Sequence, residues 1–278
     1  MEELQAPRVT ALVVSRNNAD GLRRCLERLD ASDGRDRLEI LVVDDGSHDG
    51  TADVVLDFPS VISLRMPKRL GWTRAVNIGL RTAKGDLVLL MSPEVLVAPD
   101  TVMRLADRLE SAHDTGAVCP AVTAVWPFPS PDALMQAWKT GDLPGSRPPG
   151  PGDATADYPR AAPIMVRREL LRNMNYLDNR FGHAWSDLEL CWRIRSGGKQ
   201  IITMSDVRVE MPPLGRHPIE PVEWIDSAHG IATWIGLHHG TVAAVRFRIA
   251  AALTAVSRGK LGAVSGILTG QKIDGNQE

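Results

Sequence analysis

VTALVVSRNNADGLRRCLERL (9–29) and the following LEILVVDDGSHDGT (38–51) decide how this chain folds. VTALVVS (9–15) is a short apolar, β-branched run that ends at Arg16-Asn17, so it reads as a strand buried on both faces. Ala19–Leu29 places Leu22, Leu26 and Leu29 at helical spacing, with Asp20 positioned as a cap. LEILVV (38–43) repeats the buried-strand pattern and stops at Asp44-Asp45-Gly46-Ser47. Further on, Thr51–Leu56 reads as helix, Val61–Leu64 as strand, and Ala75–Thr82 as helix with Gly85 in a stop position. LVLLM (87–91) is a fourth strand, ending at Ser92-Pro93-Glu94. Strand alternating with helix predicts an α/β fold, a mostly parallel central sheet with helices on its faces. Ligands of such sheets bind at the carboxyl ends of the strands, and all three polar clusters lie there.

The rhythm changes after Cys119. Residues 126–163 are so rich in proline and glycine, above all at 143–152, that no regular structure is expected in them. Ala162–Arg167 reads as a strand leading into a helix over Arg168–Asn173, and Gln200–Met204 as a last strand before a turn at Pro212-Pro213. Pro221–Leu268 is helical in pattern, with Trp224, Ile231, Trp234 and Leu237 on one stripe. These shifts divide the chain into a ligand-binding α/β half (1–118), a second half (119–214) and a C-terminal helical segment (215–278).

Composition narrows the function. With 32 Lys+Arg against 34 Asp+Glu in 278 residues, the net charge of −2 argues against a nucleic-acid partner. Cys25, Cys119 and Cys191 are too few and too scattered for a disulfide framework, MEELQAPRVT shows no leader pattern, and no run of about 18 apolar residues is present. A cytoplasmic protein is expected, with peripheral membrane contact open through Arg246, Arg248, Arg258 and Lys260. No G-x-G-x-x-G follows the first strand, which argues against a dehydrogenase.

Two carboxylates at a strand tip, Asp44-Asp45, have two readings. They form an Asx-type turn and cap, or one of them accepts a hydrogen bond from a nucleotide base or ribose. Gly71-Trp72-Thr73-Arg74 offers free backbone N–H groups at a helix start, a place suited to phosphate, and Arg74 is either a phosphate ligand or a solvated helix arginine.

Together with LGWTRAVNIGLRTAKGDLVLLMSPEV (70–95) and NYLDNRFGHAWSDLELCWRIRSGGKQI (175–201), the two opening segments resemble the family 2 glycosyltransferases, inverting enzymes of the GT-A fold, and their rhamnosyltransferase-like branch in particular. The resemblance covers most of residues 8–210. It implies a nucleoside diphosphate sugar donor and a saccharide, lipid-linked or small-molecule hydroxyl acceptor. It also implies that Asp45 reads the nucleotide base beside Arg16-Asn17, and that Gly71 and Asn77 surround the nucleotide and its diphosphate.

Ser92-Pro93-Glu94 falls where the family carries its Asp-x-Asp motif for a divalent cation, Mg²⁺ or Mn²⁺, against the diphosphate. Here the first carboxylate is replaced by serine. Glu210 stands where the family often has a metal-binding histidine, with His217 nearby, so Glu94 and Glu210 are the candidate metal ligands. Trp185-Ser186-Asp187-Leu188-Glu189 matches the acidic pair that supplies the catalytic base, with Ser186 in the first acidic position and Asp187 in that of the base. The structural alternative is a capping box, Ser186-x-x-Glu189, opening a helix over Asp187–Arg195 with Glu189 paired to Arg193. Trp126, Phe128 and Trp185 are candidates for stacking on a sugar, or core residues. His48, His113 and His183 read as loop histidines, His183 being near the proposed base. The expected protein is an inverting glycosyltransferase; the rival, favoured by Ser92 and Ser186, is a non-catalytic binding or scaffolding relative.

Overall fold

The computed structural model describes residues 6–121, 124–211 and 220–275. In chain order the first half contains β1 (Val9–Ser15), α1 (Ala19–Asp30), β2 (Leu38–Asp44), α2 (Thr51–Val54), β3 (Val61–Arg65), α3 (Trp72–Thr82) and β4 (Leu87–Met91). Next come β5 (Leu96–Val97), α4 (Thr101–Glu110), β6 (Thr115–Pro120), α5 (Pro131–Thr140), β7 (Asp153–Ala156), β8 (Ile164–Arg167) and α6 (Arg168–Asn173). The chain continues through α7 (Ser186–Ser196), β9 (Gln200–Met204), β10 (Val209–Glu210), α8 (Pro221–His239), α9 (Thr241–Ser257) and α10 (Leu261–Thr269).

Eight strands form one sheet in the order β3-β2-β1-β4-β8-β6-β9-β7, and β10 pairs with β5 in a separate small ladder. The β3, β2, β1 and β4 strands are mutually parallel, with Ser15 opposite Asp44 and Asp44 opposite Arg65. Their carboxyl ends therefore align at one edge. β8 runs antiparallel between β4 and β6, while β9 is parallel to β6. Because successive side chains of a strand face opposite ways, β1 feeds two cores. Ala11 and Val13 pack with Leu22, Leu26 and Leu105 of α1 and α4. Leu12 and Val14 face the other side, in a core shared with Val76 and Leu80 of α3 and extending to Leu188, Ile231 and Trp234 of α7 and α8.

The structure corrects several local expectations. Asn18, not Asp20, caps α1, its Oδ1 accepting from Gly21 N at 3.0 Å. The proline-rich stretch 126–163 holds both a helix and a strand. Ser130 Oγ accepts from Ala133 N, Pro131 occupies the first turn where its missing N–H costs nothing, and Gly141 ends α5 at φ 83°. The C-terminal helical run breaks into three helices at Gly240 (φ 93°) and Gly259 (φ 69°). The Pro212-Pro213 turn lies outside the described residues. All three cysteines are buried and free, and burial pushes Cys25 and Cys119 up to about 12.

Candidate active site

The aligned strand ends open into a cleft of about 290 Å³. Ser15 at the end of β1, Arg16 just after it, Asp45 after β2, and Ser92, Pro93 and Glu94 after β4 line it. Arg69 and Trp72, before and at the start of α3, His183 ahead of α7, and Glu223 of α8 line it as well. The polar clusters expected at the strand tips thus meet in one place.

The two carboxylates of the β2 tip divide their labour. Asp44 is buried, and its Oδ1 accepts from Ser47 N at 3.0 Å, closing an Asx turn. Asp45 is also buried but lines the cleft, with Oδ1 accepting from Leu70 N at 2.6 Å and Oδ2 from Gly71 N at 3.0 Å. The Gly71 N–H, expected to be open to phosphate, is therefore taken by Asp45, and Thr73 N donates to Gly182 O at 3.2 Å. Gly71 itself is required by close packing: at φ 83°, a Cβ there would come within 2.7 Å of the Ile273 carbonyl oxygen. Asn17 ties the β1 tip to the β2 loop, donating from its backbone to Ser47 Oγ and accepting from His48 N, both at 2.9 Å.

Two further expected ligands serve other contacts. Asn77 is buried and brackets Leu177, donating to its carbonyl and accepting from its N–H at 2.9 Å each, and donates to Asn179 Oδ1 as well. It clamps the 177–179 loop onto α3 and does not line the cleft. Arg74 donates to the Asp274 carbonyl, with the Asp274 carboxylate at 3.8 Å, so the C-terminal tail holds the guanidinium that was expected to meet phosphate.

Arg69 escapes any motif reading, yet it lines the cleft and its guanidinium donates to Glu220 at 2.9 Å and Glu223 at 2.5 Å. Burial pushes the Glu223 carboxyl up, but the Arg69 hydrogen bond and charge outweigh that and hold it below its ordinary range. Desolvation, followed by the Arg69 charge, holds the His183 imidazole below its ordinary range, although the residue keeps a solvent-exposed edge. Asp226 was likewise missed. It is fully buried, and its carboxylate accepts from His183 N, Ala184 N (2.9 Å each) and Ile273 N (2.7 Å). One side chain thus pins the His183 loop, α8 and the tail together. An acid inside the apolar run Trp224-Ile225-Asp226 was the available sequence signal.

α7 begins at Ser186, not Asp187, and its cap position is Trp185 in the left-handed region at φ 72°. The predicted Ser186–Glu189 capping box is absent, because Trp185 turns the chain and buries its own ring against Gly230 of α8. Trp185 Nε1 donates to Ser227 Oγ at 2.8 Å, and the ring carries the Arg160 guanidinium 5.4 Å from its centroid. Glu189 pairs with His238 at 2.7 Å rather than with Arg193, which donates instead to the carbonyls of Met174 and Tyr176. Trp126 is buried with Nε1 donating to Leu143 O, and Phe128 packs edge-on against Trp192. Asp187, half-buried in the first turn of α7, accepts from the Tyr158 hydroxyl at 2.8 Å through Oδ2. Burial, and next the Asp187 charge, push the Tyr158 phenol well above its ordinary range, so it stays protonated and donates. Asp187 does not line the cleft; it follows His183 by one turn of chain.

Ser92, Pro93 and Glu94 all line the cleft, but Glu210 does not join them. The β5–β10 ladder sets Glu210 opposite Leu96, and its exposed carboxylate lies 3.8 Å from Arg28. Among the described residues no group of three or more His, Cys, Asp or Glu side chains is placed to hold a metal ion. His217 lies outside the described residues.

A mostly parallel sheet whose strand tips converge on a cleft, covered by helices and carrying a C-terminal helical segment, is the GT-A-like architecture. Residues 10–145 match the family described as Glycosyl transferase family 2. The chain is 25% identical over 257 residues to the pre-mycofactocin glycosyltransferase of Mycobacterium tuberculosis, covering 84% of this chain and 53% of that protein. It is 34% identical over 113 residues to an N-acetylglucosaminyltransferase of Sinorhizobium fredii, covering 38% of this chain and 27% of the relative. The chain thus spans about half the length, or less, of these relatives. Among solved structures, the mannosyltransferase PcManGT of Pyrobaculum calidifontis, in complex with GDP-Man and Mn²⁺, superposes with a TM-score of 0.59 at 24% identity, over 95% of this chain and 79% of that one.

Proposed function

We propose that this protein transfers a hexosyl group from a nucleoside diphosphate sugar to a hydroxyl of a saccharide, lipid-linked or small-molecule acceptor, with inversion at the anomeric carbon. The observation that carries this reading is the convergence of Ser15-Arg16, Asp45 and Ser92-Pro93-Glu94, all within the segment that matches Glycosyl transferase family 2, on one cleft. In this reading the nucleoside lies along the β1 and β2 tips. Asp45, whose carboxylate is fixed by two backbone amides, offers its remaining lone pairs to a base or ribose. Arg16 and Arg69 supply positive charge to the diphosphate.

Glu94 and the Ser92 hydroxyl are oxygen donors, the chemistry a hard cation requires. One carboxylate fits a Mg²⁺ or Mn²⁺ that takes most of its ligands from diphosphate and water, and it does not make an all-protein cage. When bound, such a cation would neutralise charge on the departing nucleoside diphosphate. Asp187 is the proposed general base. Its Oδ2 is oriented by Tyr158, Oδ1 accepts no hydrogen bond from the described residues, and it stands in the first turn of α7.

A second reading has its own observations: the Gly71 amide is taken by Asp45 and Arg74 is held by the tail, leaving the expected phosphate donors engaged. On that reading the protein binds nucleotide sugar without turning it over. The deciding experiment measures thermal shifts with a panel of nucleoside diphosphate sugars, with and without Mg²⁺ or Mn²⁺, and then donor hydrolysis in wild type and Asp187→Asn. A shift with one donor, and loss of hydrolysis in the variant by about 10²-fold or more, is expected. Hydrolysis unchanged in Asp187→Asn removes it as base, and a shift without any turnover supports the binding module.

A further inference from the structure

α9 packs on α8 and α10 through Phe247, Ala251, Ala252 and Ala255, all buried. Its opposite side is apolar too. Val242, Val245, Ile249, Leu253 and Val256 are each between 48% and 66% exposed. They recur at steps of three and four residues, so at 3.6 residues per turn they occupy about 80° of arc along one face. Isolated exposed apolar side chains are ordinary, but five in one stripe, continued by Leu261 at 67% exposure just beyond the helix, make a patch.

The charge around this stripe is one-sided. From Gly240 to Ile273 the chain contains Arg246, Arg248, Arg258, Lys260 and Lys272 and no Asp or Glu, although the whole protein carries −2. Arg246 is exposed and adjoins the stripe, and exposed Arg258 and Lys260 lie at its C-terminal end. Arg248 belongs to the packed side, where it donates to Ile267 O at 2.8 Å. With 17 residues, α9 is about 26 Å long at 1.5 Å per residue, and no described helix is long and apolar enough to cross a membrane. An apolar stripe edged by cations and free of acids is the chemistry of a helix that lies in a lipid–water interface.

We propose that the exposed face of α9 seats this protein peripherally on an anionic lipid bilayer, with Val242, Val245, Ile249, Leu253 and Val256 entering the acyl boundary and Arg246, Arg258 and Lys260 meeting headgroup phosphates. Charge selects this occupant over a second copy of the chain. Two copies meeting through α9 would bring together two helices that carry cations and no acids, whereas an anionic leaflet complements both the cations and the apolar stripe. The inference does not rest on the proposed transfer reaction, and its test needs no activity.

The test is flotation of the full chain with vesicles of mixed phosphatidylglycerol and phosphatidylcholine, compared with phosphatidylcholine alone. Wild type should float with the anionic vesicles and be released as salt is raised. Ile249→Gln with Leu253→Gln changes two solvent-exposed positions, so its thermal melt should be unchanged while the partition coefficient falls at least about tenfold. Arg246→Glu should weaken binding only to anionic vesicles. Failure of wild type to float, equal flotation of the double variant, or equal binding to neutral vesicles overturns the proposal. So does a concentration-dependent dimer in sedimentation that the double variant dissolves, which would assign the face to self-association.

Discussion

Replacing Asp226 by asparagine should be among the most damaging single-atom changes in the second half of the chain. The carboxylate is fully buried and accepts three backbone N–H groups, two through Oδ2 (His183 and Ala184) and one through Oδ1 (Ile273). Asparagine in its better orientation keeps one oxygen for His183 and Ala184 and presents its NH₂ to the Ile273 N–H. A hydrogen bond to a charged acceptor, about 1.5–3 kcal/mol, is lost, and a buried donor left without a partner costs about 1–3 kcal/mol more. The neutral side chain recovers part of that through cheaper desolvation, leaving a net loss of about 3–4 kcal/mol. For a chain of this size that corresponds to a fall in Tm of roughly 6–15 °C. Urea unfolding at neutral pH gives the free energy, and limited proteolysis reports whether residues beyond Thr269 come loose before the rest unfolds. A loss below about 1 kcal/mol, with the tail as protected as in wild type, would refute the idea that one carboxylate holds the loop, α8 and the tail together.

Tyr158→Phe removes only the hydroxyl that donates to Asp187, and should cost about 1–2 kcal/mol in urea unfolding. If Asp187 is the base, the same variant should lower kcat more than it raises KM, whereas a structural hydrogen bond alone would leave kcat unchanged. Glu223→Gln tests the Arg69 pair through pH. Because the folded-state carboxyl is held below its ordinary range, the pair contributes stability above that range and loses it as pH falls through the lowered value. The variant should therefore be about 1 kcal/mol less stable than wild type at pH 7 and converge with it in acid; a pH-independent difference would sink the ion-pair account.

The parallel half of the fold was legible because its strands are buried on both faces, so they appear as apolar runs that stop abruptly at polar tips. Arg16-Asn17, Asp44-Asp45 and Ser92-Pro93-Glu94 could be placed at one edge for that reason alone. What those tips bind to was not legible, since Asp45 finds its partners at Leu70 and Gly71, across another strand and loop. Asn77 looked like a ligand and clamps a loop instead, because its partners lie about a hundred residues on. The antiparallel position of β8 between β4 and β6 carries no local signature, nor does the αL conformation of Trp185 that displaced the expected capping box. The Pro-rich segment misled for the opposite reason. Its composition is that of a loop, but Ser130-Pro131 is a favourable helix start and Gly141 a favourable stop, and three residues outweigh the average of thirty-eight.

The near balance of acids and bases in the composition conceals how the acids at this site are used. Asp44, Asp45 and Asp226 accept from backbone amides, Asp187 from a tyrosine, and Glu220 and Glu223 face Arg69. Neutral N–H donors hold Asp45 and Asp226 without cancelling their charge, while Asp44 also has the Arg65 guanidinium at 3.7 Å, so the cations that line the cleft, Arg16 and Arg69, matter more to an incoming diphosphate than the acid count suggests. Arg69 is shared with Glu220 and Glu223, and a diphosphate would compete with them for its guanidinium. Under the proposed function, protonation or removal of Glu223 should therefore strengthen nucleoside diphosphate binding, while Arg69→Ala should weaken it about tenfold or more. With one carboxylate, Glu94, at the strand tip, chelation of divalent cations should weaken donor binding less than Arg69→Ala does. Titration calorimetry of a nucleoside diphosphate with and without EDTA decides the point. If EDTA abolishes binding that Arg69→Ala leaves intact, the cation and not the arginine carries the diphosphate, and the charge argument for this cleft fails.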